Sequence, residues 1–154
     1  MESSLLKDFV AELLDKLGLE PSSVSVTSGH RTVVAVELED PAPLLGQEGE
    51  ALRALNSIAK RMIEKSHGEE GAAFLIDVNG HHESQMDRVR DAARVLAQRT
   101  RLFRQDVEMP PLSAYERLVV HELFAEDPDI TTESAGEGKL RHIVLKHKSP
   151  GKKS

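Results

Sequence analysis

Apolar residues recur at Leu5, Leu6, Phe9, Val10, Leu13, Leu14 and Leu17 and stop at Gly18. That spacing predicts an amphipathic helix ended by a glycine C-cap. The period then shortens to two. Val24 and Val26 alternate with Ser and Thr, and Val34, Val36 and Leu38 alternate after Gly29-His30, so this stretch predicts a hairpin closed by Pro41 and Pro43. A short helix, the paired glycines Gly46 and Gly49, and a long helix follow. Leu52, Leu55, Ala59 and Met62 mark the buried face of that long helix, which ends near Gly68. Phe74-Leu75-Ile76-Asp77-Val78 predicts a closing strand, and the polar turn Asn79-Gly80-His81-His82 a seam. A helix from about Ser84 to Phe103 comes next, with Met86, Val89, Ala93, Leu96 and Ala97 inward and Phe103 read as core.

The second half carries the candidate chemistry. Pro111 stops whatever precedes it, and Ser113 followed three residues later by Glu116 forms a capping box, so a helix should start there. Leu118, Val119 and Leu123 are taken as its core side. Arg117 and His121, four residues apart, stack on one helical face. They set a five-donor guanidinium fork beside a second donor that becomes cationic on protonation, a pair suited to a phosphate. The bland reading of the same spacing is a surface pair on an amphipathic helix. Ile130-x-Thr132-x-Ser134-x-Gly136 then turns the chain into a strand from Leu140 to Lys146, which would bring Arg141 towards the same face.

Charge divides the chain at about the same place. Residues 1–85 hold seven Lys/Arg against fifteen Asp/Glu, and residues 86–154 hold thirteen against eleven. Phosphate contacts dominate nucleic-acid affinity, so the second half and the Lys152-Lys153 tail should carry most of any binding. Arg90, Arg94 and Arg101 run along one helix flank, either as an extension of a phosphate track or as a solvated face. Tyr115, at the entry of the Ser113 helix, is the best-placed stacking aromatic. The chain contains no Cys, so disulfides and thiolate metal sites are excluded and a reducing compartment is favoured. Neither a basic leader nor an apolar run long enough for a membrane span is present at the amino terminus, and a cytoplasmic location is the expectation. His81, His82 and Glu83 read as solvated turn residues rather than metal ligands. No nucleophile elbow, P-loop or dinucleotide fingerprint occurs, so neither an enzyme, a cofactor nor a metal is expected.

The Arg117/His121 spacing with its capping box, Thr132, Ser134, Gly136 and Arg141 resembles the R-3-H domain, known for binding single-stranded nucleic acid. Leu44-Leu45-Gly46-Gln47-Glu48-Gly49-Glu50-Ala51-Leu52 looks like the G-x-x-G segment of a K-homology (KH) domain, with Phe74–Val78 as its closing strand. KH followed directly by R-3-H resembles the bacterial Jag family, also called KhpB. The resemblance implies an α+β chain: a type II KH domain (α-β-β-α-α-β) at 1–82, a small α/β R-3-H domain at 83–148, and a disordered basic tail at 149–154. It implies non-catalytic binding of single-stranded RNA, with DNA left open, in post-transcriptional regulation linked to cell elongation or division. A small KH-only protein is the partner it suggests. Arg117, His121 and Arg141 would hold phosphates, Lys139 would add charge, and the loop Gly46, Gln47, Glu48 and Gly49 would make a second, weaker contact. Two departures stand out: the loop carries a carboxylate where the family often has a cation, and Leu118 replaces a frequent second arginine. The amino-terminal domain of many Jag proteins is expected to be lacking. The acidic loop keeps a second reading open, in which the first half docks a protein and nucleic acid is incidental.

Overall fold

Each half of the chain builds its own core from the apolar stripes noted above. The computed structural model describes residues 1–148 and divides after His82 into two units. The tail expected at 149–154 lies outside the described residues.

In the first unit, helix α1 (Ser3–Lys16) buries Leu6, Val10 and Leu14, one stripe at four-residue spacing. Gly18 then takes a left-handed φ of +76°, which reverses the chain towards the sheet. Strands β1 (Ser23–Thr27) and β2 (Thr32–Glu37) pair antiparallel, and β3 (Phe74–Val78) joins β2 in parallel, giving the order β1-β2-β3. The parallel pair needs a crossover, and helix α2 (Ala42–Gly71) supplies it. Its helical geometry breaks at Gly46–Gly49, so a short arm leads into a long one. Leu52, Leu55, Ala59 and Ile63 of the long arm face the core. Met62, expected there, is 47% exposed. With 100° per residue, Ile63 continues the stripe and Met62 rotates off it.

Asn56 closes the edge of this sheet. Its buried amide donates to Ile76 O at 2.9 Å and accepts from Ile76 N at 2.8 Å, and also donates to Leu52 O. At Ile76, the edge of β3 that does not face β2 is thereby paired rather than left open.

Helix α3 (His81–Phe103) leads into the second unit, followed by β4 (Val107–Glu108), α4 (Ala114–Leu123), β5 (Ile130–Ala135), a 3-10 turn (Gly138–Leu140) and β6 (His142–His147). The strands form an antiparallel sheet in the order β4-β6-β5. Its core comprises Ala93, Ala97, Met109, Val120, Phe124, Ile130, Ile143 and Leu145, flanked by Val89 and Leu96. The last strand begins two residues later than expected because Leu140 belongs to the 3-10 turn. Phe103 is a second correction, for its ring is 65% exposed. It is the last helical residue, and Arg104 at φ +51° turns the chain away; Thr100 takes the inner position instead, its hydroxyl donating to Leu96 O. On α4 the buried pair is Val119 and Val120, whereas Leu118 is 43% exposed. Among the described residues no helix is long and apolar enough to cross a membrane.

Candidate nucleic-acid interface

The capping box forms at the entry of α4. Ser113 Oγ accepts from the Glu116 N–H at 3.2 Å, and the Glu116 carboxylate accepts from the Ser113 N–H at 2.6 Å. With two end donors satisfied, the first turn is fixed, and so is the direction in which Arg117 leaves it. Arg117 Nη1 donates to Leu112 O at 2.6 Å, while the Leu112 N–H donates to Arg141 O at 3.1 Å. A single residue before the helix therefore connects the arginine of α4 to the segment that starts β6. The Arg141 side chain donates to Gly136 O at 2.7 Å and braces the β5–β6 connection. Gly136 has φ +82°, and a Cβ there would stand 3.1 Å from Leu140 O, so the brace requires glycine. None of the described ion pairs involves Arg117, Lys139 or Arg141.

His121 lies one turn beyond Arg117 and reaches across to β5. Ile130, Thr132 and Ser134 stand opposite His147, Leu145 and Ile143, so alternate β5 residues face the core side of the sheet. Both hydroxyls meet the imidazole: His121 Nδ1 is 2.6 Å from Thr132 Oγ1 and Nε2 is 3.0 Å from Ser134 Oγ. Burial first, and the Arg117 charge second, lower the imidazole's pKa below its ordinary 6.5. At neutral pH the ring is therefore uncharged. The sequence reads residues 130–136 as a turn, whereas Ile130–Ala135 is a strand, and Thr132 and Ser134 become partners of both ring nitrogens only when β5 packs under α4.

The remaining candidates divide. Lys139 is exposed in the 3-10 turn beside Leu140, and Tyr115 is half-buried in the first turn of α4. Arg90 pairs with Glu83 and Asp87, Arg94 with Asp91, and Arg101 with Asp127. Their charge is offset locally, although exposed pairs of this kind are weak.

In the first unit, Gln47, Glu48 and Gly49 all adopt left-handed backbone, with Gln47 and Glu48 exposed. Gly49 is buried with φ +75°, and a Cβ there would come within 3.0 Å of His81 Nε2. Gly46 has an ordinary φ of −57° and open space around it. An open groove of about 540 Å³ runs beside the loop, lined by Ala42, Pro43, Gly46, Gln47, Glu50, Ala51 and Ala54. Two residues that the sequence did not assign to the loop adjoin it. Arg53 Nη1 donates to Glu48 O at 2.8 Å, and the half-buried His81 packs on Gly49. The position of Arg53, one turn after Gly49, was the available signal. His81 and His82 are accordingly not solvated turn residues: they open α3, and the His82 N–H donates to the buried Asp77 carboxylate.

Residues 84–147 match the family model of the R-3-H domain. The chain is also similar to proteins named "RNA-binding protein KhpB". The one from Clostridium symbiosum is 23% identical over 140 residues, covering 90% of this chain and 63% of that protein. The one from Bacillus subtilis is 25% identical over 130 residues, covering 82% and 62%, and that from Streptococcus pneumoniae is 22% identical over 138 residues, covering 89% and 42%. The chain thus spans less than two thirds of the length of these curated relatives. The contacts around Arg117 and His121 lie inside the segment that matches the R-3-H domain, in a chain similar over most of its length to bacterial KhpB proteins.

Proposed function

We propose that this chain is a non-catalytic protein that binds single-stranded RNA, with its second unit as the principal phosphate-binding module. The observation that carries this reading is the junction at Leu112, where Arg117 and the start of β6 are held together beside His121 and two strand hydroxyls. A guanidinium fixed at one N–H keeps its other donors for a ligand. The R-3-H match and the name carried by the relatives support RNA as that ligand. The resemblance to Jag proteins supports a place in post-transcriptional regulation.

The first unit reads as a type II KH domain. In support, its order is α-β-β-α-α-β when α2 is counted as two arms, with one antiparallel and one parallel strand pair and a left-handed run at Gln47–Gly49 behind Gly46. In such a domain the loop lets a nucleic-acid backbone approach closely. Arg53 and His81 adjoin the loop and add donors to the Gln47 amide beside a Glu48 carboxylate that has none. Arg90 and Arg94, each paired with acids, stand as secondary contacts at most.

The test is fluorescence anisotropy of a labelled random single-stranded RNA, titrated with wild type and Arg117→Ala/His121→Ala at two salt concentrations. Salt-sensitive binding that the double substitution removes, with circular dichroism unchanged, is the expected result. Absence of binding by wild type at low salt would overturn the reading. A DNA oligonucleotide of the same length reports whether the 2′-hydroxyl matters.

A further inference from the structure

We propose that the hydroxyls of Thr132 and Ser134, rather than the imidazole of His121, donate the hydrogen bonds to the nucleic-acid phosphate, and that His121 is the positioning residue that turns their protons outward. The inference rests on reading α4 and β5 as the nucleic-acid interface. Its basis is the occupancy of the ring: both nitrogens are engaged, at 2.6 Å and 3.0 Å, by the two hydroxyls. To grip a phosphate directly, the imidazole would have to give up one of those bonds.

The hydrogen inventory makes the consequence specific. A neutral imidazole has one N–H and one lone pair, and each hydroxyl has one proton. One hydroxyl must therefore donate into the ring, and the other accepts the ring N–H and keeps its own proton for an external acceptor. A protonated ring donates through both nitrogens, and both hydroxyl protons then point away from it. Phosphate oxygens only accept, so a bound phosphate favours the protonated arrangement. The charges facing this group are few. Arg117 on α4 is the cation that acts on the ring; Glu133 on β5 lies on the opposite sheet face, paired with Lys146 at 2.7 Å; Arg141, just before β6, is held by Gly136 O. Burial and Arg117 keep the ring neutral without ligand, and an arriving phosphate offsets the Arg117 charge. Binding should thus take up a proton, and affinity should rise as pH falls from neutral through the imidazole's ordinary range.

The experiment compares wild type, Thr132→Val/Ser134→Ala and the hydroxyl-conserving swap Thr132→Ser/Ser134→Thr, each titrated with a labelled random single-stranded RNA at pH 7.5 and pH 5.5. The expectation is that wild type and the swap bind and tighten at the lower pH, while the hydroxyl-free variant loses about tenfold or more in affinity and its pH response shrinks. That variant keeps all seven histidines, so the other imidazoles do not account for the difference. Undiminished binding by the hydroxyl-free variant would overturn the inference and make the imidazole the donor, leaving the R-3-H reading intact. Wild type that fails to bind at all would remove the interface reading, and the inference with it. Should the hydroxyl-free variant not fold, the single substitutions Thr132→Val and Ser134→Ala take its place: each should weaken binding, and undiminished affinity in both would overturn the proposal.

Discussion

His121 and Arg117 stand four residues apart on α4, and burial first, then the guanidinium, hold the imidazole's pKa below its ordinary value. Burial and the guanidinium both disfavour protonation of the ring. Replacing Arg117 by Gln should therefore raise the His121 midpoint towards its ordinary 6.5, with burial holding it short of that value; an NMR titration of the imidazole checks this. The sign for stability follows. A histidine whose pKa is lower when folded binds its proton more readily when unfolded, so its contribution falls as pH drops below 6.5 towards the folded value. Arg117→Gln should lessen that acid sensitivity in urea unfolding. The pairing of Arg117 with His121 was legible from spacing alone, because helical periodicity is local. That the imidazole is sandwiched by two hydroxyls was not, because β5 reaches it only through sheet formation.

At the scale of elements, two contacts join helix to strand or loop, and each predicts a cost. Asn56 satisfies both backbone groups of Ile76 from the middle of α2. Asn56→Leu should destabilise the first unit by about 2–4 kcal/mol in denaturant unfolding, because a buried N–H and C=O lose their partners. Gly49 combines left-handed backbone with a closely packed His81. Gly49→Ala should cost about 1–2 kcal/mol from the backbone alone, whereas Gly46→Ala, with open space and an ordinary φ, should cost little. The helices, the strands of the first unit and most stripe residues could be read from the apolar pattern, whereas β4, only two residues long, and β5, rich in Thr and Ser, could not. Met62, Leu118 and Phe103, which depart from it, sit at the margin of a stripe or the end of a helix. There the period gives a direction but not whether anything packs against it.

For the whole molecule, the charge asymmetry separates the two halves in composition, with the net positive charge in the second. If Arg117 and Arg141 make two phosphate contacts, log affinity should fall against log salt with a slope of about −1.4, at about 0.7 per contact on a single strand. A steeper slope would mean that further cations, such as Lys139 or Arg53, take part. Glu48 stands exposed at the tip of the loop. Glu48→Lys should tighten RNA binding about thirtyfold at low salt if the loop approaches a phosphate, since it changes two unit charges, each worth roughly 1 kcal/mol in water. An unchanged affinity would favour a protein-docking role for the first unit. The sequence by itself determined the helices, the strands of the first unit and the last strand, the capping box, the shared face of Arg117 and His121, and the charge division, since each depends on residues close along the chain. Tertiary structure alone decided that Leu112 joins Arg117 to Arg141, that His81 packs on Gly49 of the loop, and that Thr132 and Ser134 occupy both nitrogens of His121. Those contacts join residues from different elements, and a hydrogen bond is set by the angstrom-scale placement of its donor and acceptor, which exists only once the elements have packed.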